Sequence, residues 1–164
     1  MPSLILVRHG KAEQFAASDH ERPLAERGRG DAAAVGRALA AAGVVAPVGY
    51  VSTARRTRQT WEELAAAAGW QRAPHFDAGL YGAGEDGVLE LLRATEPATD
   101  TVVVVGNNPT MAGLAQMLDD GEGAATAGPT AGFPTSAYAV FTVPAWAELS
   151  EMGARLDLYG VGRG

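Results

Sequence analysis

Short apolar runs alternate with longer amphipathic segments along this chain, and this alternation constrains the fold more than any other feature of the sequence. Three runs have the composition and length of buried strands: SLILV at 3–7, VGYVS at 48–52 and TVVVV at 101–105. Four segments carry apolar residues at helical spacing: 24–43, 53–69, 86–94 and 111–118. Strands and helices that alternate at these lengths predict parallel strand–helix–strand units. We therefore expect an α/β protein with three layers (α/β/α), a mostly parallel central sheet and helices on both faces.

Length and composition predict one domain that spans residues 1–164. The chain is 47% hydrophobic, which is typical of a globular protein and not of a disordered one. Two segments nearer the C-terminus, at 136–143 and 155–160, are further candidate strands. The segment DDGEGAATAGPTAG at 119–132 offers little apolar surface to bury, so we expect it to form a mobile surface loop.

Several classes of protein are disfavoured by composition. The chain has no cysteine, so it has no disulfide, no thiolate nucleophile and no cysteine-based metal site. Its three histidines, His9, His20 and His75, lack metal-ligand spacing, and we expect neither a metal nor another cofactor. A net charge of -6 disfavours nucleic acid as a partner. The first apolar run is too short for a secretory signal or a membrane span, so we expect a cytoplasmic protein that does not bind membranes.

Polar residues follow three of the predicted strands. The stretches are VRHGKA at 7–12, VSTARRTRQT at 51–60 and VGNNPT at 105–110. Ligands of open α/β sheets bind beyond the carboxyl ends of the strands. We therefore expect Arg8, His9, Arg56 and Asn107 to meet at one rim of the sheet.

An imidazole between two guanidinium groups suits phosphoryl transfer. Arginine forks match phosphoryl oxygens in a bidentate manner and neutralise their charge, while a neutral histidine nitrogen attacks phosphorus. Nearby arginines also lower the pKa of a histidine by like-charge repulsion, which favours the neutral nucleophile. This chemistry predicts a phosphate site with His9 at its centre.

Three motifs occur in order after these strands, and together they resemble a known family. They are R-H-G at 8–10, S-x-x-x-R-x-x-Q-T at 52–60 and G-x-N-P at 106–109. In this respect the chain resembles the histidine phosphatase (phosphoglycerate mutase-like) superfamily, and in particular its small bacterial branch of SixA-type phosphohistidine phosphatases. The stretches SDHERPLAERG at 18–28 and FPTSA at 133–137 extend the likeness.

The resemblance implies a role for each matching residue. His9 would be the nucleophile that forms a phosphohistidine intermediate, and Arg8 and Arg56 would hold the phosphoryl oxygens. The implied substrate is a phosphorylated histidine of a protein or a small phosphomonoester. Arg55 and Arg58 are out of register with the motif, and we expect both to be solvated.

Asn107 departs from the family pattern, which has a second histidine here in a Gly-His pair. A neutral amide forms hydrogen bonds worth about 0.5–1.5 kcal/mol, whereas bonds to charged groups are worth about 1.5–3 kcal/mol. We therefore expect reduced but not abolished phosphatase activity. Two alternatives stay open: an impaired module that only binds phosphate or phosphoproteins, and an introduced change in an otherwise active enzyme. Neither His20 nor His75 obviously replaces the missing ring, although folding could bring His20 nearby.

The sequence does not select a general acid. Asp77, Glu85 and Asp86 are candidates, although a position near the positive N-terminal end of a helix explains Glu85 and Asp86 more simply. A leaving imidazole departs readily once it is protonated, so a phosphohistidine substrate makes a strong acid less necessary.

Four residues near the motifs have simple structural interpretations. Asn108 is expected to be a helix N-cap, with Pro109 at the first helical position. Gly10 is expected to allow a tight turn, and Lys11 to be exposed.

Overall fold

The computed structural model describes residues Met1–Gly164 and contains one six-stranded sheet flanked by helices. The strands are β1 (Ser3–Arg8), β2 (Val48–Ser52), β3 (His75–Asp77), β4 (Thr101–Gly106), β5 (Ala137–Thr142) and β6 (Arg155–Val161). The α-helices are α1 (Glu26–Ala41), α2 (Arg55–Ala68), α3 (Ala78–Gly82), α4 (Glu85–Arg93) and α5 (Thr110–Leu118). Two single turns of 3₁₀-helix lie at Pro129–Ala131 and Trp146–Glu148.

The sheet has the strand order β3-β2-β4-β1-β5-β6. The pairs β1–β4, β2–β4 and β2–β3 are parallel, and β5 is antiparallel to both β1 and β6. The predicted α/β class with a mostly parallel sheet is therefore confirmed. One antiparallel strand was not foreseen, because a short apolar run does not encode its own direction.

Two hydrophobic cores lie on the two faces of the sheet and produce the three layers. Side chains of β1 alternate between them, since successive residues of a strand point to opposite faces. Leu4 and Leu6 pack in the core that includes α4 and α5, whereas Ile5 and Val7 pack in the core that includes α1 and α2. All four side chains are fully buried. The continuous apolar runs of the sequence thus follow from burial on both faces.

Two glycines end the helices that cover one face. Gly43 has a φ of 88° and its amide donates to the Ala40 carbonyl, while the next amide, of Val44, donates to Leu39. Gly69 has a φ of 76° directly after α2. Positive φ is costly for residues with a Cβ, so glycine is favoured at both positions. The predicted helix ends are confirmed, although α1 itself stops at Ala41.

The register places the candidate motifs at one edge. Arg8 at the end of β1 pairs with Gly106 at the end of β4, and Val51 of β2 pairs with Val105 of β4. The carboxyl ends of these parallel strands therefore meet, as the strand-end rule requires.

The β3–α3 segment was not predicted from the sequence. Strand β3 has only three residues, of which His75 and Phe76 are exposed, and α3 has five residues. Neither is long enough to show a hydrophobic period. The single-domain extent and the mobility of 119–132 stay predictions. No helix combines the length and the apolar character that a membrane crossing needs.

Candidate functional site

The backbone of His9 is fixed between two neighbouring segments at the end of β1. Its amide donates to the Gly106 carbonyl over 3.1 Å, and its carbonyl accepts from the Ser136 amide over 3.0 Å. Backbone hydrogen bonds on both sides leave the ring little freedom to shift with the main chain. The strand ends thus determine where the imidazole lies.

The His9 ring is buried and has a defined tautomer. Only 7% of the residue is exposed, and Nδ1 lies 2.7 Å from the Gly10 carbonyl oxygen. A carbonyl can only accept, so Nδ1 carries the hydrogen and Nε2 keeps its lone pair. Burial lowers the pKa of His9 to about 4, with Arg56, Arg8 and Arg22 acting in the same direction and the Gly10 hydrogen bond opposing them. At neutral pH the ring is therefore uncharged and its free nitrogen is nucleophilic.

Gly10 is required by a close backbone approach. A Cβ at this position would lie 2.6 Å from the Gly28 carbonyl oxygen. Its φ is not positive, so glycine is needed here for the close approach and not for a left-handed conformation. The Gly10 amide donates to Thr60 Oγ1 over 3.0 Å, and that hydroxyl in turn donates to the Arg56 carbonyl over 2.7 Å. The loop after β1 is thereby joined to α2.

Arg56 and Asn107 contact each other directly. Arg56 Nε donates to Asn107 Oδ1 over 2.9 Å, and only 6% of Arg56 is exposed. Since Oδ1 accepts from the guanidinium, the amide orientation is set and Nδ2 remains a free donor. The structure therefore brings the two residues together, as the sequence predicted.

Arg8 lies partly buried beside the same edge. Its Nη1 donates to the Phe133 carbonyl over 3.3 Å, and its Nε is buried without a partner. Burial lowers the pKa of Arg8 from its usual value. A buried guanidinium with an unpaired N–H is expected to favour an anionic ligand.

Asp19 completes the surroundings of Arg56 and was missed as a site residue. Its carbonyl accepts from Arg56 Nη1 over 2.9 Å and its Oδ2 from Nη2 over 3.2 Å. Tyr81 donates to Oδ2 over 2.6 Å and Arg22 to Oδ1 over 2.9 Å. The hydrogen bond from Tyr81 lowers the pKa of Asp19 most and the one from Arg22 next, and together they hold it well below its usual range. Asp19 is thus an anion at neutral pH.

Asn108 and Pro109 directly precede α5, which starts one residue later than predicted. Asn108 Oδ1 accepts from the Ala112 amide over 3.1 Å, which satisfies a donor of the first turn. Its Nδ2 donates to the Phe133 carbonyl over 2.8 Å. The helix itself starts at Thr110, so Pro109 is the flanking residue and not the first helical one. The capping role of the Asn108 side chain is retained.

Comparison with known proteins identifies the family of this chain. The sequence profile of the histidine phosphatase superfamily (branch 1) matches residues 4–82. The candidate phosphohistidine phosphatase SixA of Nakamurella multipartitia is 32% identical, and its structure superposes with a TM-score of 0.80 over 97% of this chain and 95% of that one. The chain belongs to the histidine phosphatase superfamily.

Two further relatives of this histidine phosphatase extend the comparison. The structure of the protein histidine phosphatase SixA complexed with tungstate is 26% identical, with a TM-score of 0.81 over 97% of this chain and 96% of that one. An uncharacterized protein of Mycobacterium tuberculosis is 35% identical over 162 residues, which are 96% of this chain and 100% of that protein. The expected phosphoglycerate mutase-like fold and the likeness to the SixA branch are confirmed.

The other two histidines of this histidine phosphatase are held outside the Arg56–Asn107 contact. His20 Nε2 lies 3.0 Å from Thr53 Oγ1, and its ring packs edge-on against Tyr81 at 4.8 Å. His75 packs 5.8 Å from the ring of Tyr50. Folding brings His20 against Thr53 and Tyr81, but its ring forms no hydrogen bond with Arg56.

The three candidate general acids serve as helix-terminal residues. Asp77 caps α3 by accepting from the Gly79 amide over 2.8 Å, and Glu85 and Asp86 lie in the first turn of α4. None of them forms a hydrogen bond or an ion pair with Arg8, His9, Arg56 or Asn107. A carboxylate at a helix N-terminus is stabilised by the helix dipole, which explains these positions without catalysis.

The basic residues that flank the motifs differ in exposure. Lys11 and Arg55 are exposed, as expected. Arg58 is half-buried and its Nε is buried without a partner, so this side chain is only partly solvated. The aliphatic part of an arginine side chain packs along buried neighbours while its charged end stays in water.

Proposed function

We propose that this histidine phosphatase hydrolyses a phosphohistidine or a small phosphomonoester through a covalent phosphohistidine intermediate on His9. The observation that carries the proposal is the His9 ring: it is buried, neutral and presents a free Nε2. Arg8, Arg56 and Asn107 supply the phosphate-binding donors around it. The complex of a related SixA with tungstate, a tetrahedral oxyanion, supports such a site.

The chemistry follows from the tautomer of His9. Nε2 donates its lone pair to phosphorus, and the bond from phosphorus to the leaving atom breaks with its electron pair on that atom. The Nδ1–H group keeps its hydrogen bond to the Gly10 carbonyl, and this bond stabilises the positive charge on the ring of the phosphorylated histidine. Water then attacks phosphorus, phosphate leaves, and Nε2 recovers its lone pair. No metal or cofactor is needed for either step.

Arg56 and Asn107 act as one unit in this proposal. The Asn107 carbonyl oxygen orients the guanidinium through Nε, while Nδ2 donates to a phosphoryl oxygen. An amide donates without a charge, so the charge that develops on the phosphoryl group is stabilised less than by an imidazolium. We infer that activity is present and weaker than in a site with histidine at this position.

A second candidate function is a module that binds phosphate or a phosphoprotein without turnover. It is favoured by Asn107, the one pocket position that departs from the family pattern. In this alternative the guanidinium groups bind the anion, while the missing charge prevents attack at a useful rate.

Turnover and binding measured on the same protein distinguish the two functions. We expect the wild-type protein to release phosphate from phosphoimidazole and from an aryl phosphate, and the His9→Gln variant to bind inorganic phosphate without releasing it from either substrate. Calorimetry measures the binding and a phosphate assay the release. Binding by the wild type without release from either substrate would select the binding module. Equal turnover by the variant would refute the role of His9.

A further inference from the structure

Asp19 is the carboxylate that forms an ion pair with Arg56, and three side-chain donors hold it in place. Arg56, Arg22 and Tyr81 each donate to its carboxylate. Its segment is docked on the start of α2, because the Arg55 amide donates to the His20 carbonyl over 2.9 Å. No other carboxylate forms an ion pair with Arg8 or Arg56.

The exposure of these residues shows on which side of the site Asp19 lies. His9 and Arg56 are almost completely buried, whereas 54% of the Asp19 side chain is exposed. The attacking and leaving atoms are roughly in line in phosphoryl transfer. With the nucleophile on the buried side, the leaving group has to depart toward solvent. Because Asp19 contacts Arg56 and is exposed to solvent, we infer that it lines that exit.

We propose that Asp19 is a specificity-determining residue whose carboxylate binds the leaving group of the substrate. It favours phosphoramidates whose leaving group is a protonated imidazole ring over phosphate esters. The inference rests on the proposed phosphatase function and adds to it a preference between substrate classes.

The proton balance of the two substrate classes explains the preference. In a phosphohistidine ring protonated at the nitrogen that does not carry phosphorus, the P–N bond breaks with its electron pair on the leaving nitrogen. The departing imidazole is then neutral, keeps its other N–H and takes no proton from the protein. The Asp19 carboxylate accepts a hydrogen bond from that N–H and so stabilises the protonated, reactive ring. An ester oxygen instead departs as an anion and is repelled by the same carboxylate.

The groups around Asp19 are poor proton donors for an ester. Hydrogen bonding to Asp19 raises the pKa of Tyr81, so its hydroxyl holds its proton more firmly. The carboxylate itself is ionised at neutral pH. The local chemistry is therefore matched to a leaving group that needs no acid.

The test is the ratio of kcat/KM for phosphoimidazole to kcat/KM for para-nitrophenyl phosphate. In Asp19→Asn we expect this ratio to fall about tenfold, the factor that separates a charged from a neutral hydrogen bond. Asp19→Glu keeps the charge and is expected to retain most of the ratio. Glu21→Gln removes a charge from the neighbouring exposed residue and is expected to leave the ratio unchanged, which makes it the matched control.

Three results would overturn the inference. An equal loss on both substrates in Asp19→Asn would mean that Asp19 only positions Arg56. A similar fall of the ratio in Glu21→Gln would mean that general surface charge, and not the contact, sets the preference. Turnover of neither substrate by the wild type would refute the proposed function as well. This outcome differs from the other two because no kcat/KM ratio can then be measured.

Discussion

Replacement of Asn107 by histidine is the perturbation that most directly probes the departure from the family pattern. Asn107 Oδ1 accepts from Arg56 Nε over 2.9 Å, so any replacement has to serve that buried guanidinium as well as the phosphoryl group. An imidazole meets both demands when one ring nitrogen accepts from Arg56 and the other N–H donates to the substrate. The bound phosphoryl anion favours protonation of the ring. The imidazolium supplies the charge that the amide lacks, but both of its nitrogens then donate, so Arg56 Nε no longer has an acceptor at position 107 and is released to donate to the phosphoryl group.

The expected gain follows from the strength of the two kinds of hydrogen bond. A neutral bond contributes about 0.5–1.5 kcal/mol and a charged one about 1.5–3 kcal/mol, so the difference is about 1–1.5 kcal/mol. That difference corresponds to an increase of about tenfold in kcat/KM. Arg56 opposes a second cation by like-charge repulsion, so the gain in Asn107→His is expected to be larger at pH 6 than at pH 8.

Steady-state kinetics on phosphoimidazole and an aryl phosphate measure this effect. Asn107→Asp is the informative control, because its oxygen still accepts from Arg56 while the free donor is replaced by a negative charge. We expect that variant to lose at least about a hundredfold in rate, the cost of removing one preorganised donor. Equal rates for the wild type and both variants would show that Asn107 does not contact the transferred phosphoryl group.

Two further predictions concern His9 and the loop after β1. An NMR titration of the His9 ring should give a pKa of about 4. Because the unfolded chain takes up this proton near pH 6.5, the free energy of unfolding should decrease as the pH falls from 6.5 to 4. A titration midpoint near 6.5 would contradict the burial argument. Gly10→Ala places a Cβ 2.6 Å from the Gly28 carbonyl oxygen and should destabilise the protein by about 1–3 kcal/mol, measured as a lower Tm. Gly82→Ala is the control, because no atom lies within 4 Å of the added carbon. An unchanged Tm for Gly10→Ala would refute the close-approach explanation.

The parts of the fold that the sequence predicted are those whose signal is local. The runs at 3–7, 48–52 and 101–105 are buried on both faces, so almost every residue in them is apolar and the strands are visible without a partner. The order of the motifs then places Arg8, His9, Arg56 and Asn107 at one edge, because parallel strands end on the same side. In the structure Arg56 and Asn107 meet there in a direct hydrogen bond.

The parts that were missed depend on contacts between distant segments. Strand β3 has only three residues and exposes two of them, so it has no hydrophobic pattern of its own. The Asp19–Tyr81 hydrogen bond joins residues 62 positions apart, and no local spacing signals it. The need for glycine at position 10 arises from the backbone of α1 at Gly28. The SDHERPLAERG stretch was the available signal for Asp19, but it did not indicate which of its residues reaches Arg56.

Detection of a phosphorylated His9 during turnover tests the central claim most directly. The protein is mixed with phosphoimidazole, quenched in alkali, and analysed by mass spectrometry before and after acid treatment. We expect one added phosphoryl group that maps to His9, is lost in acid and is absent from His9→Gln. Phosphate release by the wild type without such an adduct, or with an adduct on His20 or His75 instead, would contradict the proposal that His9 is the nucleophile.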